Sequence, residues 1–384
     1  MFSSLDTRIA FFGGSCSIAA LEAVVRLVDA GYEMVAGPHD PREGVVLNDA
    51  GIPTFQNRIE ACQGAQVIIT SCAHPSEVED LYLGDNGLLE IADEGTFLID
   101  LSFITPRLAQ EIQAMAAVNG LTYLDAPLVN FGEKEKPVCF VGGEPDAVKL
   151  VGPLLPFIAH TIRTLNSPGE GALSAVMAVI GLAGSLMGTI EAMAMANICG
   201  FNTRSALDAL ASTSAATRTL IEFVPQTLEY DFGGRTRVTE MLDMLDTALM
   251  ASEDMDVTLP CTETAYQLYD LLSVVGGDEL NIQAISLLYE DEQTCADYGL
   301  DWSLADDMRD QGGSAFGYGG EYSPEQINDP RLRELFNSIQ AQMAGTGQMG
   351  TGDPKLDDFR NHHSRPDDED GPDFPSAGEF FSRN

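Results

Sequence analysis

From Arg8 to about Leu165 the chain alternates short apolar runs with amphipathic stretches of helical period. The runs at 8–12, 34–36, 67–71, 97–100, 122–124, 138–142 and 160–165 are brief, rich in β-branched and aromatic residues and bounded by turn formers, so they predict strands. Strands separated by helical segments imply a mainly parallel sheet with helices on both faces. After Pro168 the pattern becomes helical only. The segments 171–197, 204–211, 218–227, 238–255 and 260–275 carry helical spacing, and Gly200 stops the first of them. Beyond about Ala305 glycine, aspartate and proline take over, with one helical pattern at 330–343. The expected layout is an α/β domain over 8–167, an all-helical domain over 168–305 and a mostly disordered acidic tail over 306–384.

Composition narrows the function classes. Of 384 residues 59 are acidic and 20 basic, giving a net charge of -39 with only four lysines, so a nucleic-acid partner is not expected. The acidity suits either a high-salt environment or solubility alone. Seven cysteines are widely spaced without a CxxC pair, which predicts reduced thiols. Five histidines form no HExxH or other ligand cluster, so no metal centre is expected. No basic segment followed by an apolar run opens the chain, and a cytoplasmic location is the expectation. The stretch 172–190 is uncharged and long enough to span a bilayer. Its flanks, Glu170 and Glu191, carry no aromatic belt or basic cluster, so it reads as a helix buried on all sides rather than a membrane span.

The first strand runs into the turn Gly13-Gly14-Ser15-Cys16-Ser17-Ile18 and then a helix. This is the place of the dinucleotide fingerprint GxGxxG, whose glycines make the turn, admit the pyrophosphate and let helix approach strand. Only the first glycine is present here. Ser15 is small and can donate to phosphate, whereas Ile18 puts a branched side chain where close packing is expected. Two readings stand: a structural βαβ unit without ligand, and a nucleotide site with weakened contacts.

Further matches follow in order: Ile9-Ala-Phe-Phe-Gly13, Asp100-Leu-Ser-Phe-Ile-Thr-Pro106, Leu124-Asp-Ala-Pro127, Val141-Gly-Gly143, Gly169-Glu-Gly171 opening the long helix, and Tyr230-Asp-Phe232. With them the chain resembles the β-hydroxyacid dehydrogenases, the 3-hydroxyisobutyrate dehydrogenase-like group within the 6-phosphogluconate dehydrogenase superfamily, over about residues 8 to 292. The resemblance implies a Rossmann-like domain that binds NAD or NADP, a long interdomain helix, an all-helical second domain and a homodimer built on helical packing.

Residue by residue, the resemblance assigns cofactor contacts to Gly13, Gly14, Ser15, Cys16, Ser17, Ala73 and Ser102, with Arg42 as a substitute near the end of the second strand, where Pro38 and His39 stand. It assigns the substrate pocket to Asn130, Ala175 and Ala178. Ala175 occupies the position of the family's catalytic lysine, and alanine has no proton to give. Phe103 replaces a hydroxyl beside the nicotinamide, Leu128 to Phe131 replace a small glycine-rich turn, and Asp243 stands where a lysine meets the cofactor. Lys134, Lys136, Tyr123, Tyr230 and Asp125 are the candidates for a relocated proton donor. The expected function is a divergent NAD(P)-dependent oxidoreductase; the alternative is a non-catalytic protein holding another small-molecule ligand or a protein partner. A cleft open above Gly13 favours the first, and one filled by Ile18, Phe103 and Phe131 favours the second.

Overall fold

A computed structural model describes residues 2, 6–14, 17–38, 41–132 and 136–305. The expected tail, with its helical pattern at 330–343, lies outside them. Five strands form one parallel sheet: β1 (Arg8–Gly14), β2 (Glu33–Ala36), β3 (Val67–Cys72), β4 (Phe97–Asp100) and β5 (Thr122–Asp125), in the order β2-β1-β3-β4-β5. Both faces are covered, as the apolar runs require. Ile9 and Phe11 of β1 pack on one face with Ala20, Ala23, Val24 and Leu27, while Ala10 and Phe12 pack on the other with Val78, Leu81 and Ile112. Helices α1 (Ile18–Asp29), α2 (Pro41–Asp49), α3 (Arg58–Cys62), α4 (Pro75–Leu83), α5 (Leu88–Ile91) and α6 (Pro106–Val118) connect these strands.

The last two predicted strands leave the main sheet. They join a two-residue strand that is too short to show periodicity, making a second sheet of β6 (Leu128–Val129), β7 (Val138–Val141) and β8 (Thr161–Thr164). β6 pairs antiparallel with β7, and β7 parallel with β8. A single antiparallel bridge, Asp125 to Gly142, links the two sheets. Helices α7 (Pro145–Val151) and α8 (Leu155–Ile158) lie between β7 and β8.

The remaining helices are α9 (Glu170–Ile198), α10 (Thr203–Ala211), α11 (Arg218–Leu228), α12 (Val238–Asp254), α13 (Pro260–Leu272) and α14 (Glu292–Asp297). α13 ends earlier than its pattern predicts because it passes into a π-helical turn, Ser273–Gly277, in which Gly276 takes φ +106°. A 3₁₀ helix, Ile282–Tyr289, follows. The long helix α9 is apolar and long enough to cross a membrane, yet here α10, α11, α12 and α13 pack around it. It is not buried on all sides. Met177, Gly181, Gly184, Gly188, Glu191, Met195 and Ile198 form an exposed stripe, and a Cβ at any of the three glycines would meet nothing within 4 Å.

The described residues fall within one compact unit. Asp125, at the end of β5, joins the parallel sheet to α9: its Oδ1 accepts from Gly169 N at 2.9 Å and its Oδ2 from Ala172 N at 2.8 Å. The helix therefore starts on a carboxylate supplied by the sheet. Side-chain contacts bind the two halves further along, Arg107 to Asp254 at 3.0 Å and His74 to Asp246 at 3.6 Å.

Candidate functional site

In a doubly wound sheet the carboxyl ends of neighbouring strands part where the connections run to opposite sides, which leaves a crevice. Here that crevice lies beyond β1 and β3. It opens as a cleft, continuous with solvent, between the sheet's loops and α12. On the sheet side it is lined by Ser17 to Ala19 at the start of α1, Ser71 to Ala73 after β3, Leu101 to Phe103 after β4, and Leu128, Asn130 and Phe131 after β5. The helical half contributes Arg235, Thr236, Glu240, Asp243 and Met244.

The wall at α1 is the positive end of a helix. Ser17 caps it, its side chain accepting from Ala20 N at 3.3 Å. A Cβ at Gly13 would stand 3.2 Å from both the Glu43 carboxylate, on a residue only 4% exposed, and the Phe11 ring, a tight contact that glycine avoids. Ile18 corrects the sequence expectation. It is 53% exposed and lines the cleft, while the fully buried Ala20 provides the close approach of α1 to the sheet.

Ser102 is fixed from beneath. Its Oγ accepts from Cys72 N at 2.9 Å, and its N–H donates to Asp100 Oδ1 at 3.0 Å. Thr70 Oγ1 also donates to Asp100 Oδ1 at 2.9 Å, and Tyr123 OH donates to Oδ2 at 3.0 Å. Burial raises the Asp100 carboxyl above its usual range, and these donors pull it back. The network sets the loops after β3 and β4 in fixed register at the cleft floor.

On the opposite wall, Thr236 Oγ1 donates to Asn130 O at 3.2 Å and to Phe131 O at 3.4 Å, which ties the segment before α12 to the loop after β6. Arg235 reaches Glu22 of α1, Nη1 to Oε1 3.3 Å. Glu240 is held by Arg237 at 3.2 Å. Desolvation raises the Asp243 carboxyl; His74 lowers it, while Asp246, Glu240 and Glu77 push it up again.

Comparison with known proteins agrees with this architecture. The family model for the NAD binding domain of 6-phosphogluconate dehydrogenase matches residues 21–166. The model for the NAD-binding region of NADP-dependent 3-hydroxyisobutyrate dehydrogenase matches residues 169–289. The uncharacterised oxidoreductase YkwC of Bacillus subtilis is 31% identical over 59% of this chain and 79% of its own length.

The chain belongs to the 3-hydroxyisobutyrate dehydrogenase-like family.

The 3-hydroxyisobutyrate dehydrogenase of Pseudomonas aeruginosa is 26% identical over 74% of the chain and 98% of that protein. Among solved structures, Mycobacterium tuberculosis 3-hydroxyisobutyrate dehydrogenase with L-serine superposes with a TM-score of 0.67 at 24% identity, covering 74% of this chain and 99% of that one. Both matched family models are NAD-binding, in keeping with NAD or NADP as the expected cofactor.

Of the residues that the resemblance singles out, Ser17, Ala73, Ser102 and Asn130 line the cleft together with Phe103 and Asp243. Gly13 and Gly14 end β1, paired with Ser71 and Cys72 of β3. Ser15, Cys16, His39 and Lys134 lie outside the described residues, as does the side chain of Arg42 on α2. Ala175 and Ala178 are not among the cleft-lining residues; Ala175 is 1% exposed within the helical packing. Phe103 packs with Ile180 against the buried cluster of Val176, Ala248 and Ala251, so an aromatic ring lies between this part of α9 and the cleft.

The relocated-donor candidates are dispersed. Tyr123 is buried on Asp100, Asp125 is committed to α9, and Lys136 is exposed. Tyr230 stacks on Tyr298 beside a separate pocket near Ile190. Sequence reasoning missed His74, Arg235 and Glu240. The scarcity of basic residues in the chain was the one signal pointing to Arg235.

Proposed function

We propose that the protein is an NAD(P)-dependent oxidoreductase of the hydroxyacid dehydrogenase type whose proton-transfer group has moved from α9 to α12. The observation that carries this reading is the open cleft, with the first turn of α1 on one wall and Asp243 and Arg235 on the other. The residues fit a nicotinamide dinucleotide. A helix N-terminus faces the space, Ala73 and Ser102 leave room beside it, and Arg235 offsets the acidic lining. Ser17, Ala73 and Ser102 would hold the nucleotide, which supplies hydride exchange when bound.

The chain's own contribution is to orient and to move a proton. Ala175 offers none. Asp243, partly withdrawn from water, can hold a proton on a carboxylate oxygen and release it to a substrate oxygen in the cleft. Phe103, Leu128 and Phe131 give the pocket an apolar lining. The same reading carries a homodimer in which a second copy covers the exposed stripe of α9.

A second reading, nucleotide binding without turnover, draws on the buried Ala175 and the Phe103 ring in front of α9. Thermal unfolding with NADH and NADPH titrated separately decides between them in two steps. A saturable rise in midpoint, equivalent to about 2.7 kcal/mol at a hundredfold excess over Kd, is the expected outcome. No rise with either nucleotide sinks both readings and leaves a protein that takes another ligand. Binding with no change in nicotinamide absorbance across a hydroxy-acid panel leaves the second reading.

A further inference from the structure

Arg235 is the one cation among the described residues lining the cleft; Glu240 and Asp243 are the acids facing it. In a chain of net charge -39, entry of an anion depends on this local exception. The segment carrying Arg235 is fixed by the adjacent Thr236, whose hydroxyl is bonded to the Asn130 and Phe131 carbonyl oxygens. Its guanidinium is only loosely committed. The partner, Glu22, also meets Arg26 at 3.8 Å, and the Arg235 and Glu22 side chains are 36% and 39% exposed. An ion pair so open to water contributes little and exchanges readily.

Glu22 lies four residues beyond Ile18, about one turn, or ~6 Å, from the end of α1 that faces the cleft. A guanidinium resting on Glu22 is therefore within a side chain's swing of any anion seated on that end. The turn before α1 has Ser15 in place of the second fingerprint glycine, the one whose missing side chain lets backbone approach a diphosphate.

We propose that Arg235 is the anion anchor of the cleft: it leaves Glu22 and takes the diphosphate of the nicotinamide dinucleotide, supplying from the helical half a contact that the incomplete glycine turn gives up. The inference rests on the cofactor reading above. The planar guanidinium fork suits two phosphate oxygens, and it would suit the two oxygens of a substrate carboxylate as well. The two sources are separable by experiment.

The test is calorimetric titration of the full chain with NADH, and separately with glycerate, for wild type, Arg235→Gln, Arg235→Lys and Glu22→Gln. The melting temperature of each unliganded variant is recorded alongside. Arg235→Gln is expected to weaken NADH binding about tenfold or more, and Arg235→Lys less, since it keeps the charge and loses the fork. Glu22→Gln removes the competitor for the guanidinium and is expected to tighten NADH binding about twofold to fivefold.

If Arg235 merely latched the two halves, both substitutions would break the same ion pair and shift affinity in the same direction, which overturns the proposal. Unchanged NADH affinity in Arg235→Gln, with wild type binding, overturns the anchor and leaves the cofactor reading intact. Loss of glycerate affinity alone assigns the anchor to a carboxylate and overturns the diphosphate assignment. If Arg235→Gln does not fold, Arg235→Lys decides, because equal affinity in a folded lysine variant excludes a role for the fork. A wild type that binds no NADH removes the cofactor reading and this inference together.

Discussion

Replacing Asp125 probes the joint between the sheet and the helical half. Its carboxylate accepts the Gly169 and Ala172 N–H groups, and the backbone closes over it: a Cβ at Gly142 would lie 2.6 Å from Oδ1. Asp125→Ala leaves two buried N–H donors without acceptors, at about 1–3 kcal/mol each, so the expected loss is about 2–6 kcal/mol. Asp125→Asn keeps one acceptor and sets an NH₂ against the other donor, for about 1–3 kcal/mol.

The pH dependence gives a second, independent readout. Burial pushes the native carboxyl up to about 6, the two N–H donors limiting the rise, against about 3.9 for the unfolded chain. The native state thus holds the proton more tightly. This contribution is fully present below the unfolded value and is lost as pH rises through about 6, a change of about 3 kcal/mol. Asparagine carries no such proton. Urea unfolding of wild type and Asp125→Asn from pH 4 to 7 should give a stability difference that narrows by about this amount as pH rises. Asp100, raised in the same direction, is common to both proteins and cancels. A difference that stays flat over that range, or an Asp125→Ala variant as stable as wild type, would refute the reasoning.

Other substitutions test the site and its surroundings. Ala175→Lys places an ammonium at a position 1% exposed, and a loss of about 3 kcal/mol or more is expected in urea; a variant as stable as wild type would mean that the lysine reaches the cleft. Asp243→Asn should leave NADH affinity within about twofold or tighten it while lowering reductive turnover about a hundredfold and removing from the pH–rate profile the fall with rising pH that a proton-donating carboxyl imposes. An unchanged profile would discard Asp243 as the proton carrier. Gly184→Trp, which fills open space on the exposed stripe of α9, should convert a homodimer to monomer by light scattering at unchanged melting temperature; a wild type that is already monomeric defeats the dimer.

The parallel sheet was legible because its strands are buried on both faces, which makes each a continuous apolar run; every residue of Val67–Cys72 is buried. Partners were harder to read than strands. Residues 138–141 and 161–164 carry strand patterns, but that they leave the main sheet depends on a single bridge and on Gly143 at φ +151°, which no local pattern encodes. Helix phase was the other obstacle. The fingerprint places Ile18 inward, but capping by Ser17 makes Ile18 the first helical residue and gives the inward position to Ala20.

The cleft shows why counting departures from a fingerprint misleads about a site. Ala175 and Phe103 read separately along the sequence as two lost functional groups. In the fold the Phe103 ring packs against Val176, the neighbour of Ala175 in sequence, with Ala248 and Ala251 of α12 completing the contact. That ring lines the cleft, and the charged groups facing the cleft come from α12 and the segment before it. One side of the cleft thus joins Phe103, Leu128 and Phe131 from the sheet's loops, and the other joins Arg235, Glu240 and Asp243, a sorting of apolar and charged groups that positions compared one at a time along the sequence do not reveal.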